Sequence, residues 1–228
     1  MKALLPILFC FVSLKVFGQA AASLNFIPMW QGKIISGDSV FLIGNSGDSL
    51  RVSALRFYVY NIQFESEDKV VWSAGDEHFL IDAFEKEGAR IPTKLFEQSK
   101  VDHLSFVIGV DSTLQTTGAH SGVLDPIHGM YWAWQSGYIA WKLEAEQISL
   151  GQSNRIQWHI GGFRAPYKTQ RTIRLKLNVD WDALNCSIQL DQLLSDWQKI
   201  YPAEVMSPNN SAMMLADRFQ TCFKILPR

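Results

Sequence analysis

Three histidines and two tryptophans are the side chains in this sequence best suited to chemistry. His120 and His128 lie in a polar stretch, Trp132 and Trp134 follow directly, and His159 comes later in the chain. Imidazole nitrogens are common ligands of copper and zinc. Indole rings pack in cores or stack on ligands, and a strong oxidant can take electrons from them. These residues therefore allow a metal site, an aromatic binding surface or a redox site.

The tryptophans belong to a dense aromatic run, Gly129–Tyr138, with the sequence Gly-Met-Tyr-Trp-Ala-Trp-Gln-Ser-Gly-Tyr. We expect such a run to be buried or to line a site. In an extended segment, Trp132 and Trp134 share one face, as core residues commonly do. A carbohydrate- or protein-binding surface built from the same rings is the alternative interpretation.

The later histidine lies in a strand-like segment that ends in two glycines, Gly161 and Gly162. Alternation places Trp158 and Ile160 on one face and His159 on the other. The glycines would let another segment approach closely. A strand histidine that only makes hydrogen bonds is the ordinary alternative to a metal ligand.

The chain lacks the common catalytic signatures. It has no Gly-x-Ser-x-Gly elbow, P-loop, His-Glu-x-x-His or Cys-x-x-Cys motif, and no nucleophile–base pair stands out. The formal net charge is −1 and no basic stripe is present, so nucleic acid is not an expected partner. We therefore predict that this protein is not an enzyme.

Residues 1–20 are predicted to be a signal peptide. Lys2 gives a positive start, Leu4–Leu14 is apolar, and small residues follow at Gly18 and Ala20. The apolar stretch is too short to span a bilayer, and no later stretch is long and apolar enough to do so. We expect a periplasmic or secreted protein with no transmembrane segment after signal removal.

Two cysteines remain after the signal, Cys186 and Cys222. In an oxidising compartment an even pair predicts a disulfide, here joining the C-terminal helix to the last strand. Two buried free thiols, or one thiol that binds a metal, are the alternatives.

Short strands must position these groups. Alternating apolar residues predict strands at Ser23–Trp30, Asp38–Ile43, Leu50–Glu65, Lys69–Trp72, His78–Ala83, His103–Val110, Tyr138–Glu146, Asn154–Gly161 and Thr172–Val179. Asp111–Ile127 is predicted to be a long polar loop, and helical spacing predicts helices over Asp191–Ile200 and Ser211–Ile225. The prediction is a mostly β chain: an antiparallel β-sandwich with a small α-helical C-terminal segment, forming one domain over residues 21–228.

Several motifs occur in a specific order: Leu55–Ile62, Phe106–Ser112, Gly122–Pro126, Gly129–Ile139, Lys142–Glu144 and Trp158–Phe163. In this order they resemble the MbnP-like copper-binding domain family. The resemblance runs from about Ser23 to about Val179, and the C-terminal helix at Ala212–Phe223 also fits. Each motif alone is weak, whereas the ordered set is specific.

The resemblance implies an extracytoplasmic β-rich protein that binds copper. In characterised relatives, a diheme MauG-type peroxidase oxidises a tryptophan to kynurenine. Copper is then held by histidines and, in some relatives, by the modified residue. Carried over by position, Trp132 and Trp134 match the Trp-x-Trp of the family and are the candidates for oxidation, and His159 matches its strand histidine. The implied partner is a diheme cytochrome c peroxidase.

One departure from the family pattern bears on the metal ligands. Methanotroph members carry Asn-His soon after the Gly-Val motif, whereas this chain has Leu114-Gln115-Thr116. His120 and His128 would substitute for that histidine. The expected copper ligands are therefore His159, then His128 and His120. A non-metal β-sandwich module that binds carbohydrate or protein through its aromatic run is the alternative function.

Overall fold

The computed structural model describes residues 22–37, 39–43, 48–85, 88–93, 101–135, 137–149, 152–177 and 183–227. The predicted signal peptide, residues 1–20, lies outside the described residues. Within the described ranges, no helix is long and apolar enough to cross a membrane.

Strands form most of the described chain. They are β1 (Ala22–Trp30), β2 (Lys33–Ile34), β3 (Val40–Ile43), β4 (Asp48–Ser66), β5 (Lys69–Ser73), β6 (His78–Asp82), β7 (Arg90–Thr93), β8 (His103–Ile108), β9 (Tyr131–Trp132), β10 (Gly137–Ser149), β11 (Gln152–Gly161), β12 (Arg171–Lys176), β13 (Ala183–Gln189), β14 (Glu204–Val205) and β15 (Phe223–Ile225). The α-helices are α1 (Ser112–Thr116), α2 (Leu190–Leu194), α3 (Trp197–Ile200) and α4 (Asn210–Gln220). Two short 3-10 helices lie at Gly122–Leu124 and Pro126–His128.

The strands make two sheets. The smaller sheet has the order β15-β13-β1-β2, with β7 also paired to β1, and the larger has the order β12-β8-β4-β10-β11-β14. β4 is the central strand of the larger sheet, because β3, β5 and β6 pair with it as well. The pairings are antiparallel except for β1 with β13 and β11 with β14.

The two sheets pack face to face through aromatic rings. Phe26 of β1 meets Phe57 of β4 edge-on, with ring centroids 5.3 Å apart, and Phe106 of β8 at 5.6 Å. Phe223 of β15 joins the same group, 5.9 Å from Phe57. Edge-to-face contacts of this kind add to the stability that burial provides. The arrangement confirms the predicted mostly β, sandwich-like fold.

The larger sheet is apolar on both faces near its centre. Phe57 and Val59 of β4 point into the core between the sheets, whereas Tyr58 points to the opposite, outer face. There it belongs to a second, smaller core that includes Met130 and Tyr138. The segment Asp111–Tyr138, which we call the covering segment, contributes most of this second core and folds over the outer face.

The covering segment is more ordered than the predicted polar loop. Asp111 caps α1 by accepting a hydrogen bond from Thr113 N at 2.8 Å, and Asp125 caps the second 3-10 helix by accepting from Ile127 N at 2.9 Å. Aspartate is a favoured N-cap because its carboxylate satisfies a free backbone N–H. The short helices therefore arise from local capping, which the loop prediction did not include.

The C-terminal helices are shorter than predicted. The segment predicted as one helix over Asp191–Ile200 is two short helices, α2 and α3. The predicted helix over Ser211–Ile225 ends at Gln220, and the chain then enters β15. This strand pairs with β13 and buries Phe223 in the main core, so tertiary packing overrides the helical spacing.

The predicted disulfide is wrong, because Cys186 and Cys222 are buried free thiols. Cys186 lies opposite Ile225 in the β13–β15 pair. Cys222 lies opposite Gln189, and its backbone carbonyl accepts a hydrogen bond from the Gln189 N–H at 2.8 Å. The two cysteines are thus offset by three residues, about 10 Å along the strands. A disulfide requires Cα atoms within about 7 Å.

We expect the mature chain to contain two thiols that react only after unfolding. Burial raises the pKa of the Cys222 thiol to about 12 and also raises the pKa of Cys186, and the thiol form is a poor nucleophile. Titration with an aromatic disulfide reagent, without prior reduction, should give no reaction in the folded protein and two thiols in guanidinium. Reductant should leave the melting temperature unchanged. Absence of thiols in guanidinium would instead show that a disulfide forms.

Candidate functional site

The two tryptophans of the Trp-x-Trp motif lie in different environments. β9 ends at Trp132 and the chain turns directly after it, so the expectation that both rings share one face is wrong. Trp132 is 5% exposed within the second core, whereas Trp134 is 69% exposed. Their ring centroids are 5.8 Å apart. The pair therefore links a solvent-exposed ring directly to a buried one.

Trp132 packs on a glycine of the larger sheet. A Cβ at Gly161 would lie 2.8 Å from Cζ3 of Trp132 and 2.6 Å from the carbonyl oxygen of Tyr138. Both distances are shorter than side-chain contacts allow, so only glycine fits beneath the indole ring. The close approach predicted for this glycine is confirmed.

His159 lies on the same outer face as Gly161. Its neighbours Trp158 and Ile160 are in the main core, as the alternation predicted. Positions two apart on a strand are separated by about 7 Å and point to the same side. The His159 and Trp132 side chains therefore occupy neighbouring positions on the outer face of β11.

A cavity of about 450 Å³ adjoins Trp132. Aromatic, amide and guanidinium groups line it, from Gln115, Trp132, Gln135, Phe163, Arg164 and Tyr167, together with small residues and Pro208. The indole nitrogen of Trp132 is buried and has no hydrogen-bond partner in the described chain. The indole nitrogens of the core residues Trp141 and Trp197 are unpaired as well, so it is the bordering cavity that distinguishes Trp132 from them.

His159 is held by a carboxylate. Its Nε2 lies 2.9 Å from Oε1 of Glu144, which also accepts from Lys142 Nζ at 3.0 Å. Because a carboxylate only accepts, Nε2 carries the proton and the lone pair of His159 is on Nδ1. Burial lowers the pKa of His159 despite the opposing effect of Glu144, so the neutral, ligand-competent imidazole is favoured.

Glu144 is ionised in this arrangement. Burial alone would raise its pKa, but the hydrogen bonds from Lys142 and His159 outweigh that effect, and the pKa of Glu144 is lowered. A carboxylate that holds the far nitrogen of an imidazole is the usual second partner of a metal-binding histidine. The sequence analysis did not identify Glu144 as the partner of His159. The only available signal was its position two residues after Lys142, which puts both side chains on one face of β10.

The other two predicted ligands lie in the covering segment. His120 Nε2 is 3.0 Å from the carbonyl of Leu114, and His128 Nε2 is 3.0 Å from the carbonyl of Gly122. A carbonyl also only accepts, so in both rings the lone pair is on Nδ1. His120, His128 and His159 therefore share the same tautomer.

The structure does not gather these histidines into a metal site. Among the described residues, no three His, Cys, Asp or Glu side chains form a group that could hold a metal ion. His159 lies on the sheet beside Trp132, while His120 and His128 belong to the covering segment. The donor set suits copper in chemical type, since imidazole is a favoured copper ligand. It is not a complete site by itself.

Tyrosines that the sequence analysis did not single out hold the covering segment in place. The Tyr58 hydroxyl donates to the carbonyl of Val123 at 3.2 Å, and the Tyr138 hydroxyl donates to that of Leu124 at 3.0 Å. The backbone N–H of His120 in turn donates to the Tyr138 hydroxyl at 2.9 Å. In the sequence, Tyr58 lies within the predicted strand Leu50–Glu65 and the motif Leu55–Ile62, but its role depends on which segment covers that face of the sheet.

The fold and site define an extended β-sandwich whose larger sheet carries an aromatic covering segment. The family model of MbnP matches residues 19–214. The solved structure of MbnP from Methylosinus trichosporium is similar in fold, with a TM-score of 0.52 and 14% identity over 75% of this chain and 76% of that chain. A comparison with curated proteins found no match. The chain belongs to the MbnP family, as its ordered motifs predicted.

Replacing Gly161 with alanine should disrupt the contact beneath Trp132. The added methyl group would meet a backbone carbonyl and the indole ring, and overpacking of this kind costs about 1–3 kcal/mol. We expect Gly161→Ala to lower the free energy of unfolding in urea by about that amount and to weaken the near-ultraviolet circular dichroism of tryptophan.

Gly137→Ala is the matched control. Gly137 is also a strand glycine next to the aromatic run, but a Cβ there would meet only the Gln115 side chain, at 4.0 Å. An equal loss of stability in both variants would contradict the specific packing of Trp132 on Gly161.

Proposed function

We propose that this protein is an extracytoplasmic copper-binding protein, periplasmic or secreted, and the substrate of a diheme MauG-type peroxidase that oxidises a tryptophan to kynurenine. Membership in the MbnP family supports this function. The observation that carries it is the contact between Trp134 and Trp132, with one ring 69% exposed and the other 5% exposed. In this proposal the chain is a substrate and not an enzyme.

The two rings have different roles in the proposed oxidation. A partner protein can approach only an exposed ring, so electrons leave the chain through Trp134. Trp132 supplies them, because its ring lies 5.8 Å away and borders a cavity that can admit water. Trp132 is therefore the residue converted to kynurenine.

The conversion balances with hydrogen peroxide as the oxidant of the partner. The Cγ–Cδ1 bond of Trp132 breaks, each of the two carbons gains an oxygen atom from water, and four electrons and four protons leave. These reduce two molecules of hydrogen peroxide to water at the peroxidase. Hydrolysis then removes Cδ1 as formate and leaves the aryl amine and ketone of kynurenine.

This chemistry accounts for the incomplete donor set. An indole N–H is only a donor, whereas kynurenine offers amine and carbonyl lone pairs. We expect copper to be held by Nδ1 of His159 together with the oxidised Trp132, since Trp132 packs on Gly161, which lies two residues after His159 on the same face of β11. His128 and His120 remain the predicted additional ligands. The bound copper would supply the redox or storage chemistry of the protein.

Co-expression with the diheme peroxidase should increase the intact mass by about 4 Da, the difference between kynurenine and tryptophan. Peptide mapping should place the increase at Trp132. Trp132→Phe should abolish the increase, and Trp134→Phe should slow it without moving it. Trp72→Phe is the control, because Trp72 lies on β5, outside the covering segment.

Two outcomes would contradict this account in different ways. A mass increase at Trp134 would reverse the roles of the two rings, but tryptophan oxidation by the peroxidase would still hold. Unmodified Trp132 and Trp134 in co-expressed protein would remove the oxidation itself. The exposed Trp134 and the aromatic cavity would then favour a binding module for carbohydrate or protein partners.

His159→Ala should strongly reduce copper affinity of the modified protein in equilibrium dialysis. Glu144→Gln should reduce it by roughly tenfold to a hundredfold, the usual effect of losing a partner that orients a metal-binding histidine. His103→Ala is the matched control, because His103 is also bonded to a carboxylate, that of Asp102 at 2.8 Å, but lies on β8. Unchanged affinity in His159→Ala would remove His159 from the site.

A further inference from the structure

A fourth histidine, His78 at the start of β6, has both ring nitrogens engaged. Nδ1 lies 2.9 Å from the carbonyl oxygen of Asp76, so it must carry a proton and donate. Nε2 accepts the backbone N–H of Asp111 at 3.2 Å, so it must be unprotonated. The ring is buried and stacks on Tyr60 with centroids 4.8 Å apart. Both bonds are satisfied only by the neutral ring.

The bond from Asp111 to His78 anchors the first residue of the covering segment. Asp111 is also the N-cap of α1, because its carboxylate accepts from Thr113 N. The far part of the segment is held separately, by the hydroxyls of Tyr58 and Tyr138. His78 thus ties the first residue of the covering segment to the sheet, and the Gln115 amide, which donates to the carbonyl of Val110 at 3.0 Å, holds α1 a few residues later.

Protonation of His78 removes this anchor. A protonated Nε2 is a donor and would face the Asp111 N–H, which is also a donor. The charged or titratable groups around the ring are Asp76, Asp111 and His120, and Tyr60 stacks on its face. The charges that favour a protonated ring are those of Asp111 and Asp76, and the Asp111 carboxylate is already engaged as the cap of α1.

We propose that His78 is a pH-sensitive latch, which holds the start of the covering segment closed when neutral and releases it when protonated. The proposal does not depend on copper or on tryptophan oxidation, because His78 takes no part in either. It gives the protein a way to loosen the segment that carries the aromatic run in an acidic environment.

The direction of the pH effect follows from proton binding. Burial, the largest cause, lowers the pKa of His78 in the closed state, against the opposing effects of Asp76 and Asp111. The open state has the ordinary histidine pKa of about 6.5 and therefore binds more protons below that value. Opening is thus favoured as the pH falls below about 6.5, and the effect levels off below the closed-state pKa.

Hydrogen exchange of the Asp111–His120 amides, corrected for intrinsic rates, tests the latch between about pH 7.5 and 5. The opening constant of the wild-type segment should rise by up to roughly tenfold per pH unit within the active window. In His78→Gln the side-chain oxygen can still accept the Asp111 N–H but does not titrate. Its opening constant should therefore stay flat.

His103→Gln is the matched control and should keep the wild-type response, since His103 lies outside the covering segment. The β11 amides serve as an internal reference and should show no pH dependence of opening. Nitrogen-15 NMR of the His78 ring at neutral pH gives a second check, because the latch requires the Nδ1–H tautomer. A flat wild-type response, the same response in His78→Gln, or the other tautomer would each overturn the proposal.

Discussion

The packing of Trp132 on Gly161 is the contact on which the outer face of this protein depends. It brings the covering segment against β11 at a distance that a side chain would prevent. The contact buries one tryptophan and leaves the next one in solvent. It also places the buried ring beside His159. A second small core, tied down by two tyrosine hydroxyls, stabilises this arrangement on a sheet whose opposite face already carries the main core.

Two histidines of the larger sheet, His78 and His159, are held in the neutral form. Burial lowers the pKa values of His78 and His159, and each ring has one nitrogen bound to an oxygen that only accepts. For His159 this leaves a lone pair on Nδ1, whereas for His78 both ring nitrogens are hydrogen-bonded. The two histidines therefore suit different purposes: one is a candidate ligand and the other fastens the covering segment.

The sequence predicted the positions of the strands better than the contacts between distant segments. Strand periodicity located β4, β10 and β11, and the glycines after His159 indicated the close approach that the structure contains. The exposure of Trp134 depends on where β9 ends, which a pattern of two tryptophans does not specify. The disulfide prediction failed because pairing in register separates Cys186 from Cys222. Helical spacing extended α4 too far, since pairing of β15 with β13 decides the conformation of Phe223. The tertiary structure decides whether histidines from distant segments come together. Among the described residues they do not form a metal site.

The central claim is that the copper site is completed by oxidation of a tryptophan. The most direct test is to measure metal content and intact mass in parallel on protein purified from its native host. The account predicts that copper content rises in proportion to the fraction of molecules whose mass is increased by about 4 Da, and that unmodified molecules bind little copper. Full copper occupancy in protein whose tryptophans are all intact would contradict it.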